Sequence, residues 1–506
     1  MKNTARVAAA PLALIGALVL GGCAVGPDFH TPAAPEVKAL TSTALPAQTT
    51  ATPGAEAGAA QTLSDGAGIP AQWWELFQSP KLNELITQAL AANPTVASAQ
   101  AALRNAQENL RASQAGFFPA VDAKAGVSRQ RSSGASFGVP GGGSSIYNLY
   151  NASVGVSYTL DLFGGTRRAV EAQAAQVDYQ RFELESTYLA LAANTVTTAL
   201  GAASLHAQED ATNDIITAQA EQLRVIRKQF ELGAVSQAAV LAVEAQAAAT
   251  QATLPPIQKN LAQTQNQLAT YVGKFPGSFT PVDLNLADLR LPQQLPLSLP
   301  SELVRQRPDV RAAEALLHQA SAGVGIATAN LLPQITLSGS YGSDATVARG
   351  LFGPGAAIWS LGAGLVQPVF HAGQLTARRR AAIASYDKAL ADYKTVVAGA
   401  FQNVADVLVA LDADANALKA QYAAYGAADS SLQLVQKQYQ LGAVSYLGLL
   451  DAQRQYQQSR IAYVQAVATR YQDTAALFQA LGGGWWNRAA ADTQGKAAPQ
   501  KISIDQ

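Results

Sequence analysis

The sequence predicts a membrane protein of the α+β class in which paired strands and very long helices follow one another along the chain. Two observations predict this class: segments with strict alternation of apolar and polar residues, and helical stretches much longer than those of globular proteins. A third observation, a tandem repeat, predicts that the whole arrangement occurs twice.

The composition narrows the possible functions. The 506 residues include 35 basic and 35 acidic side chains, so the formal net charge is zero, and 14% of the residues are charged. This balance argues against a nucleic-acid-binding protein, which carries a basic excess on at least one domain. One Cys and four scattered His residues leave no disulfide framework and no metal-ligand cluster. Since no catalytic constellation or phosphate-binding loop is present either, we expect no enzymatic activity, no metal and no cofactor.

Residues 1–22 are predicted to be a lipoprotein signal peptide. Two basic residues precede an apolar stretch that is too short to span a bilayer. The stretch ends in Leu20-Gly21-Gly22-Cys23, which resembles the lipobox of bacterial lipoproteins. The resemblance implies that Cys23 becomes the mature N-terminus and carries a diacylglycerol and an N-acyl chain. It also implies the outer membrane, because Ala24 stands where an Asp would favour the inner membrane. The alternative is an ordinary secretory signal with a fortuitous Cys.

Residues 23–70 are predicted to be the lipidated N-terminus followed by a linker. The segment is rich in Ala, Pro, Thr and Gly and shows neither a helical nor a strand period. Such a composition buries little surface, so we expect a flexible tether between the lipid and the folded body.

Two pairs of matching motifs identify the tandem repeat. Asn93-Pro94-Thr95-Val96 matches Arg307-Pro308-Asp309-Val310, which lies 214 positions later. The stretch from Phe230 to Ser236 matches the stretch from Tyr439 to Ser445, which lies 209 positions later. The resulting boundaries are 71–272 for the first repeat, 273–298 for a linking segment, 299–481 for the second repeat and 482–506 for a C-terminal tail.

Each repeat contains two predicted strands with period-two alternation. These lie at about 120–130 and 150–163 in the first repeat and at about 333–343 and 357–370 in the second. Their length matches that of a tilted transmembrane strand, about 9–11 residues. Four strands cannot close a membrane barrel by themselves, since the smallest such barrels have about eight. The sequence therefore predicts that the chain shares its strands with other copies of itself.

A long helical hairpin follows each pair of strands. From Thr166 to Leu232 there is no Pro and a single Gly in 67 residues, and the stretch from Gln374 to Leu441 also has no Pro and only two Gly. Helices of this length indicate coiled-coil packing, and Gly233 and Gly442 are predicted to reverse the chain direction. A fibrous coiled coil is the alternative, but it does not explain strand pairs at fixed places in each repeat.

Several motifs in the same order resemble the outer-membrane factors of tripartite efflux pumps of the RND type, in particular their NodT-like lipoprotein branch. The resemblance covers nearly all of the chain after the linker. The motifs are Trp73-Trp74-Glu75-Leu76-Phe77, Leu82-Asn83-Glu84-Leu85-Ile86, Asn93-Pro94, Arg307-Pro308-Asp309-Val310-Arg311-Ala312-Ala313-Glu314, Leu332-Pro333, Pro368-Val369-Phe370 with Gly373, and Leu450-Asp451-Ala452-Gln453-Arg454.

The resemblance implies a homotrimer with one 12-stranded β-barrel, four strands coming from each protomer. The barrel continues into a long periplasmic α-helical barrel, which is surrounded by a mixed α/β equatorial belt. In this sequence the belt is expected from residues 63–78, 275–299 and the end of the chain.

The family's function is that of a passive duct in the outer membrane of Gram-negative bacteria, in contact with outer-membrane lipid. An inner-membrane RND-type transporter supplies the energy, a periplasmic adaptor protein joins the two, and small amphiphilic compounds are exported. Two alternatives remain at this point. One is the protein-export duct of a type I secretion system, and the other is a structural envelope lipoprotein without a pore.

The resemblance also places a gate at the periplasmic helix tips, with Leu447 and Asp451 at the constriction. Three Leu side chains would form an apolar plug, and three carboxylates at one axis would repel one another and attract cations. Tyr439 and Arg454 are candidate gate ties. Gly448 stands where some family members carry a second acid, which predicts a less charged gate. The alternative interpretation is a solvated carboxylate for Asp451 and a coiled-coil core residue for Leu447.

Overall fold

The computed structural model describes residues 24–35, 39–41, 43–133, 144–297 and 300–488. The signal peptide, Cys23 and the last 18 residues of the C-terminal tail lie outside the described residues. The chain divides into two compact units. We name them the strand unit (Met1–Thr31, Leu103–Gln180 and Ala313–Tyr393) and the helix unit (Pro32–Ala102, Arg181–Ala312 and Lys394–Gln506), and each statement below concerns their described residues.

The described residues form six strands and nine α-helices, and both repeats follow the same order of elements. The strands are β1 (Thr62–Asp65), β2 (Ala120–Ser133), β3 (Ser144–Leu160), β4 (Gln294–Leu297), β5 (Gln334–Ala345) and β6 (Ala357–Val366). The helices are α1 (Pro80–Ala92), α2 (Pro94–Gln114), α3 (Gly165–Glu231), α4 (Gln237–Gln251), α5 (Leu254–Tyr271), α6 (Pro300–Gln306), α7 (Pro308–Ala329), α8 (Gln374–Gln440) and α9 (Tyr446–Ala480).

The strand unit contains an antiparallel sheet in the order β2-β3-β5-β6. The register places Val154 opposite Tyr341 and Tyr341 opposite Trp359, so one apolar face runs across three strands. The other face is polar, and Thr159 and Thr336 are hydrogen-bonded there at 3.2 Å. The apolar face is uncovered in the single chain, with Trp359 76% exposed. This arrangement confirms the predicted alternation and leaves an apolar sheet surface that suits a lipid environment.

Two of the predicted strand boundaries were wrong. Strand β3 begins at Ser144 rather than near residue 150, because its first residues pair with the end of β2, where Ser133 lies opposite Ser144. Strand β6 ends at Val366 rather than at residue 370, because Pro368 has no backbone N–H for the ladder. Within the described residues, both outer strands of the sheet, β2 and β6, have one unpaired edge.

The core of the helix unit is mostly aliphatic, and it includes aromatic residues from two distant parts of the chain. The Trp73 and Phe478 rings are stacked with centroids 5.4 Å apart, and Phe77 lies 6.2 Å from Tyr471. The Tyr471 hydroxyl donates to the Leu289 carbonyl at 3.1 Å. The WWELF motif, which sequence analysis used only to recognise a family, therefore fills the core beside α9.

The mixed region expected at the belt is present in the helix unit. Strand β1 pairs in parallel with β4, from Thr62 opposite Gln294 to Asp65 opposite Leu297. The end of the described chain is held beside it: Asn487 Nδ2 donates to the Ile69 carbonyl, and Trp485 Nε1 donates to the carbonyl of Gln306, both at 2.7 Å.

The prediction of a flexible linker was wrong for much of residues 43–70. Gln61 is fully buried, and its Nε2 donates to Thr474 Oγ1 at 2.9 Å. Thr50 Oγ1 donates to Asn416 Oδ1 at 2.7 Å, so the segment contacts both α8 and α9. Isolated polar side chains make these contacts, and no sequence period reveals such a pattern. We name residues 47–61 the strap.

Candidate functional site

The two helical hairpins turn at the repeated motif, residues 230–236 and 439–445, and the backbone conformation of the two turns is the same. Gly233 and Gly442 adopt left-handed φ angles of 73° and 75°, which reverse the chain at the ends of α3 and α8. In each turn the N–H after the glycine donates to a carbonyl in the last helical turn, Ala234 to Gln229 and Ala443 to Gln438, both at 2.8 Å. This Schellman geometry requires a residue that tolerates positive φ, which explains the glycine.

A serine begins the returning helix at each tip. The Ser236 side chain accepts from Ala239 N and the Ser445 side chain accepts from Gly448 N, both at 3.3 Å, as helix N-caps do. A Cβ on Gly448 would lie 2.7 Å from Val444 Cγ1. An acid at this position would therefore require Val444 to move, which is a local reason for the glycine there.

The predicted gate residues lie on the first two turns of α9. The Leu447 side chain is 65% exposed in the single chain, so it is not buried between the helices of its own hairpin. The exposed Asp451 carboxylate forms an ion pair with Arg454, one turn further along the same helix. Arg454, one of the two predicted gate ties, thus pairs with the predicted gate carboxylate in the single chain.

These residues share one groove with the returning helix of the first repeat. Alanine and leucine supply its apolar lining, and Gln246, Asp451 and Arg454 supply its polar lining. The groove is lined by Ala242, Ala245, Gln246, Leu447, Leu450, Asp451 and Arg454. The structure therefore brings three of the four predicted tip residues onto one surface.

The fourth predicted residue, Tyr439, lies elsewhere. Its ring packs edge-on against Tyr446 with centroids 5.7 Å apart, and both contact a buried cluster that includes Ile226 and Val243. Burial raises the pKa of Tyr439, and burial together with Tyr439 raises the pKa of Tyr446. Both hydroxyls are therefore neutral at physiological pH, and Tyr439 joins the two helix tips within one protomer.

Sequence analysis missed a set of buried amides beside the tips. Gln453 Nε2 donates to Gln222 Oε1 at 2.5 Å, which links α9 to α3. Gln219 is 3% exposed, yet neither of its amide atoms has a hydrogen-bond partner among the described residues. The Tyr446 hydroxyl is likewise buried without a partner there. Each such group costs about 1–3 kcal/mol unless water reaches it.

The Gln222–Gln453 contact belongs to a longer polar seam between α3 and α9. Glutamine has the same appearance in sequence whether it faces solvent or a partner helix, so only the packing reveals this seam. The paired residues are Gln222–Gln453, Asp214–Arg460 at 2.8 Å and Gln208–Gln465 at 3.2 Å.

Two further predictions concern groups attached to the chain. The proposed lipidation residue, Cys23, lies outside the described residues. Among the described residues, no group of three or more His, Cys, Asp or Glu side chains could hold a metal ion.

The chain matches the family model described as outer membrane efflux protein over residues 85–274 and 299–483. The two matched regions correspond to the two repeats. They include α2, both strand pairs and both helical hairpins, and cover more than half of the chain.

Similar proteins are outer-membrane components of export systems. The pyoverdine export outer membrane protein OpmQ of Pseudomonas putida is 30% identical over 429 residues, which cover 84% of this chain and 90% of that protein. The toluene efflux pump outer membrane protein TtgC of another Pseudomonas putida strain is 29% identical over 488 residues, or 95% of this chain and 96% of that protein. The solved structure of the outer-membrane channel OprN, 28% identical, superposes with a TM-score of 0.81 over 92% of this chain and all of that chain.

Proposed function

The chain belongs to the outer membrane efflux protein family, and from that premise we propose which cargo it carries, which proteins it joins and how its tip closes. It is an outer-membrane channel subunit of an efflux system in a Gram-negative bacterium. Its fold is that of trimeric channels in which strands from three chains form one barrel above a helical barrel.

The observation that carries this function is the open sheet of the strand unit. Strands β2 and β6 each leave one edge unpaired in the single chain, and the apolar face is uncovered. An open apolar edge is an unstable arrangement in both water and lipid. Three copies with four strands each remove every edge and give a barrel of 12 strands.

The proposed cargo is small amphiphilic compounds, moved passively. The named relatives export toluene and pyoverdine, two chemically distinct cargoes, which favours a duct that selects by width and charge. With 14% charged residues in the whole chain, few charges are available to hold a cargo molecule. In agreement with this, we infer that the chain has no enzymatic activity.

The proposed partners are a periplasmic adaptor and an inner-membrane transporter of the RND type. A passive duct requires an energised pump, and the relatives are named as pump components. The anchor to the outer membrane is proposed to be lipid on Cys23, because this single Cys ends the lipobox-like motif.

The proposed gate is the groove surface of α9. Three exposed Leu447 side chains around the channel axis would exclude water and ions by an apolar constriction. Asp451 and Arg454 lie one turn further along, and their ion pair would hold the first two turns of α9, and with them Leu447, in the closed position.

Deletion of the gene tests the function. We expect higher sensitivity of the bacterium to dyes and apolar antibiotics, because the export path would be interrupted. Unchanged sensitivity with loss of a secreted protein would instead identify a type I secretion duct. A purified, opened trimer that passes no current in planar bilayers would identify a structural lipoprotein.

Single-channel conductance tests the gate. We expect Asp451→Ala and Leu447→Ala to raise the mean current of the reconstituted trimer. Asp392→Ala is the matched control, because it also removes an exposed ion pair within one helix, Lys388–Asp392 at 2.6 Å. Equal currents in Asp451→Ala, Leu447→Ala and Asp392→Ala would show that the gate assignment is wrong.

A further inference from the structure

The hairpin formed by β2 and β3 extends beyond the other two strands of the sheet. Strand β3 pairs with β5 no further than Tyr150, whereas it pairs with β2 as far as Ser144, which lies opposite Ser133. The end of the hairpin, residues 128–133 and 144–149, therefore continues as two strands alone. At about 3.4 Å per residue it projects by roughly 20 Å along the strands. We name these residues the extension.

The extension lies at the end of the sheet away from the long helices. Strand β3 leads into α3 at Gly165, and β6 leads into α8 at Gln374. Both helices leave the sheet from the same end, because the last residues of β3 and β6 both pair with the first residues of β5. In the channels of this family the helices continue on the periplasmic side of the barrel. The extension is therefore at the extracellular end of the sheet.

The apolar face of β3 gives the position of the membrane along the strand. Alternate residues from Leu160 to Tyr150 lie on this face, and those between the two are Tyr158, Val156, Val154 and Ala152. At a tilt of about 40° this ten-residue interval rises about 25 Å, which is the height of the apolar band of an outer-membrane barrel. An aromatic girdle closes each end of such a band. Tyr150 therefore marks the extracellular limit of the hydrocarbon.

Two arginines follow on the same face, directly beyond this limit. Val127 of β2 lies opposite Tyr150, and Arg129 and Arg131 are the next two residues on its side of the sheet. At the same tilt they stand about 5 and 10 Å beyond the girdle. A membrane lipid has its headgroup at this height, so the two arginines face polar lipid groups and not acyl chains.

Both guanidinium groups are exposed, and neither has an acidic partner among the described residues. Arg131 Nε donates to Ser144 Oγ at 2.9 Å, which holds this side chain across the hairpin. The extension contains no acidic residue, and residues 134–143, which join its two strands, contain no charged residue. The positive charge of the two arginines is thus available to an anion from outside the chain.

The second repeat has neither the extension nor its charge. Counted by the offset of 214 between the repeats, Arg129 and Arg131 correspond to Ser343 and Ala345 of β5. Strand β5 ends there, at Ala345. The two arginines are therefore not part of the strand plan that the repeats share. They occur once in each protomer, next to the apolar face.

We propose that Arg129 and Arg131 form a binding site for the phosphate groups of lipopolysaccharide, the glycolipid of the outer leaflet. A guanidinium donates two parallel hydrogen bonds to one phosphate, and the two Cα atoms are about 7 Å apart, so both side chains reach a single headgroup. The acyl chains of the same lipid lie against the apolar face, beside Val127. This inference rests on the outer-membrane location of the family, and not on the proposed cargo or gate.

Lipid binding to variants that lack one charge tests the site. The probe is lipid A with its phosphates, titrated into the delipidated trimer in detergent, and its Kd is measured by native mass spectrometry. We expect Arg129→Gln and Arg131→Gln each to raise this Kd about fivefold, the loss expected for one basic side chain beside an anionic lipid surface. Lys124→Gln is the matched control, because it removes one exposed charge from the opposite face of the same strand. Its Kd should equal that of the wild type.

Further probes show which part of the lipid is bound. Lipid A without phosphates should bind the wild type as weakly as phosphorylated lipid A binds the double variant Arg129→Gln/Arg131→Gln. Inorganic phosphate at the concentration of the lipid should not displace it, because a free ion lacks the apolar contacts. Arg129→Lys/Arg131→Lys keeps both charges and should bind more tightly than the double Gln variant, which separates loss of charge from loss of folding.

Any of four results would overturn the inference. They are an equal Kd in the wild type and the double Gln variant, an equal rise of the Kd in Lys124→Gln, equal binding of lipid A with and without phosphates, and displacement of the lipid by inorganic phosphate, which would identify a site for free anions only. None of them bears on export, which gene deletion tests separately.

Discussion

The two repeats share a backbone plan but differ in what their helical hairpins hold. Counting 209 positions back from Asp414, Arg470 and Asp473 in the second repeat leads to Leu205, Leu261 and Thr264 in the first. The second hairpin therefore has a buried charged cluster where the first is mostly apolar. Arg470 is 1% exposed, and its Nη2 donates to the strap at the Ala59 carbonyl and Gln61 Oε1. The duplication preserved the elements, while the second copy alone binds the strap in this way.

The two hairpins also differ in their aromatic residues, because a tyrosine cluster of the second hairpin has aliphatic counterparts in the first. Tyr463 of α9 is stacked parallel to Tyr425 of α8 with centroids 5.4 Å apart, and it also contacts Tyr422. Its hydroxyl accepts from Glu56 N of the strap at 2.8 Å. The first repeat has Leu254 at the position of Tyr463 and Ile216 at that of Tyr425. We infer that the strap stabilises the hairpin whose tip carries Leu447 and Asp451.

The largest expected effect comes from making the second repeat resemble the first at its core. Phe478 corresponds to Ala269, and its ring covers the buried Trp73. Phe478→Ala should lower the free energy of unfolding by about 3–5 kcal/mol, because it leaves a cavity against an aromatic ring. Thermal melting of the detergent-purified trimer measures this change. Phe275→Ala, at a side chain 85% exposed, is the control and should change melting little.

Replacing Arg470, the buried arginine of α9 that binds the strap, should have the next largest effect. Arg470→Leu introduces the first-repeat residue and removes two hydrogen bonds from a charged donor, at a cost of about 3 kcal/mol. Replacing all three residues together, with Asp414→Leu and Asp473→Thr, should recover most of this loss, since an apolar set replaces the whole charged cluster. A triple variant less stable than Arg470→Leu would show that the cluster is needed for more than the strap.

The carboxyl pair of the same cluster should make stability depend on pH. Burial, followed by the hydrogen bond with Asp414, raises the pKa of Asp473 from 3.8 to about 8, while Arg470 opposes the shift. The folded chain therefore keeps a proton that the unfolded chain releases. This stabilisation is fully present below about pH 4 and is lost as the pH rises towards about 8.

Melting temperatures at about pH 6 and about pH 9 measure this effect. We expect the trimer to melt at a lower temperature at the higher pH, and Asp473→Asn to reduce the difference, because an amide does not titrate there. Asp451→Asn, at an exposed carboxylate, is the control. A pH dependence equal in wild type and Asp473→Asn would show that Asp473 does not hold the proton in the folded chain.

The smallest expected effect is that of Tyr463, where two variants distinguish the contribution of the hydroxyl from that of the ring. Tyr463→Phe removes the acceptor of the Glu56 amide and should cost about 1 kcal/mol. Tyr463→Leu, the first-repeat residue, also removes the ring stacking and should cost more. Hydrogen exchange at Glu56 measures both, and equal exchange in wild type and Tyr463→Phe would show that the strap does not depend on this hydroxyl.

The sequence predicted the features that local patterns encode. The alternation in residues 120–129, the glycines at positions 233 and 442 and the serines at 236 and 445 that begin the returning helices each act on neighbouring residues, so these elements could be located before the structure was known. Helix α3 ends at Glu231, one residue before the predicted boundary at Leu232, because the nearby Gly233 reverses the chain.

The candidate site could be predicted only in part. Motif matching placed Leu447, Asp451 and Arg454 near the tip, and they do lie on one groove. It did not show that Asp451 pairs with Arg454 or that Tyr439 packs on Tyr446. Both contacts depend on side-chain packing. A sequence motif does not show which of several neighbouring groups a side chain contacts.

What the sequence alone determined was the repeat, the order of strands and helices, and the need for further copies to close the sheet, because period, turn chemistry and strand number are properties of the chain itself. Only the tertiary structure decided which polar residues outside any periodic pattern are buried, and which partners they bind. Gln61 and Arg470 are 409 positions apart and meet in a buried contact. The free energy of burying such a group depends on its partner, and only the folded chain brings that partner within hydrogen-bond distance.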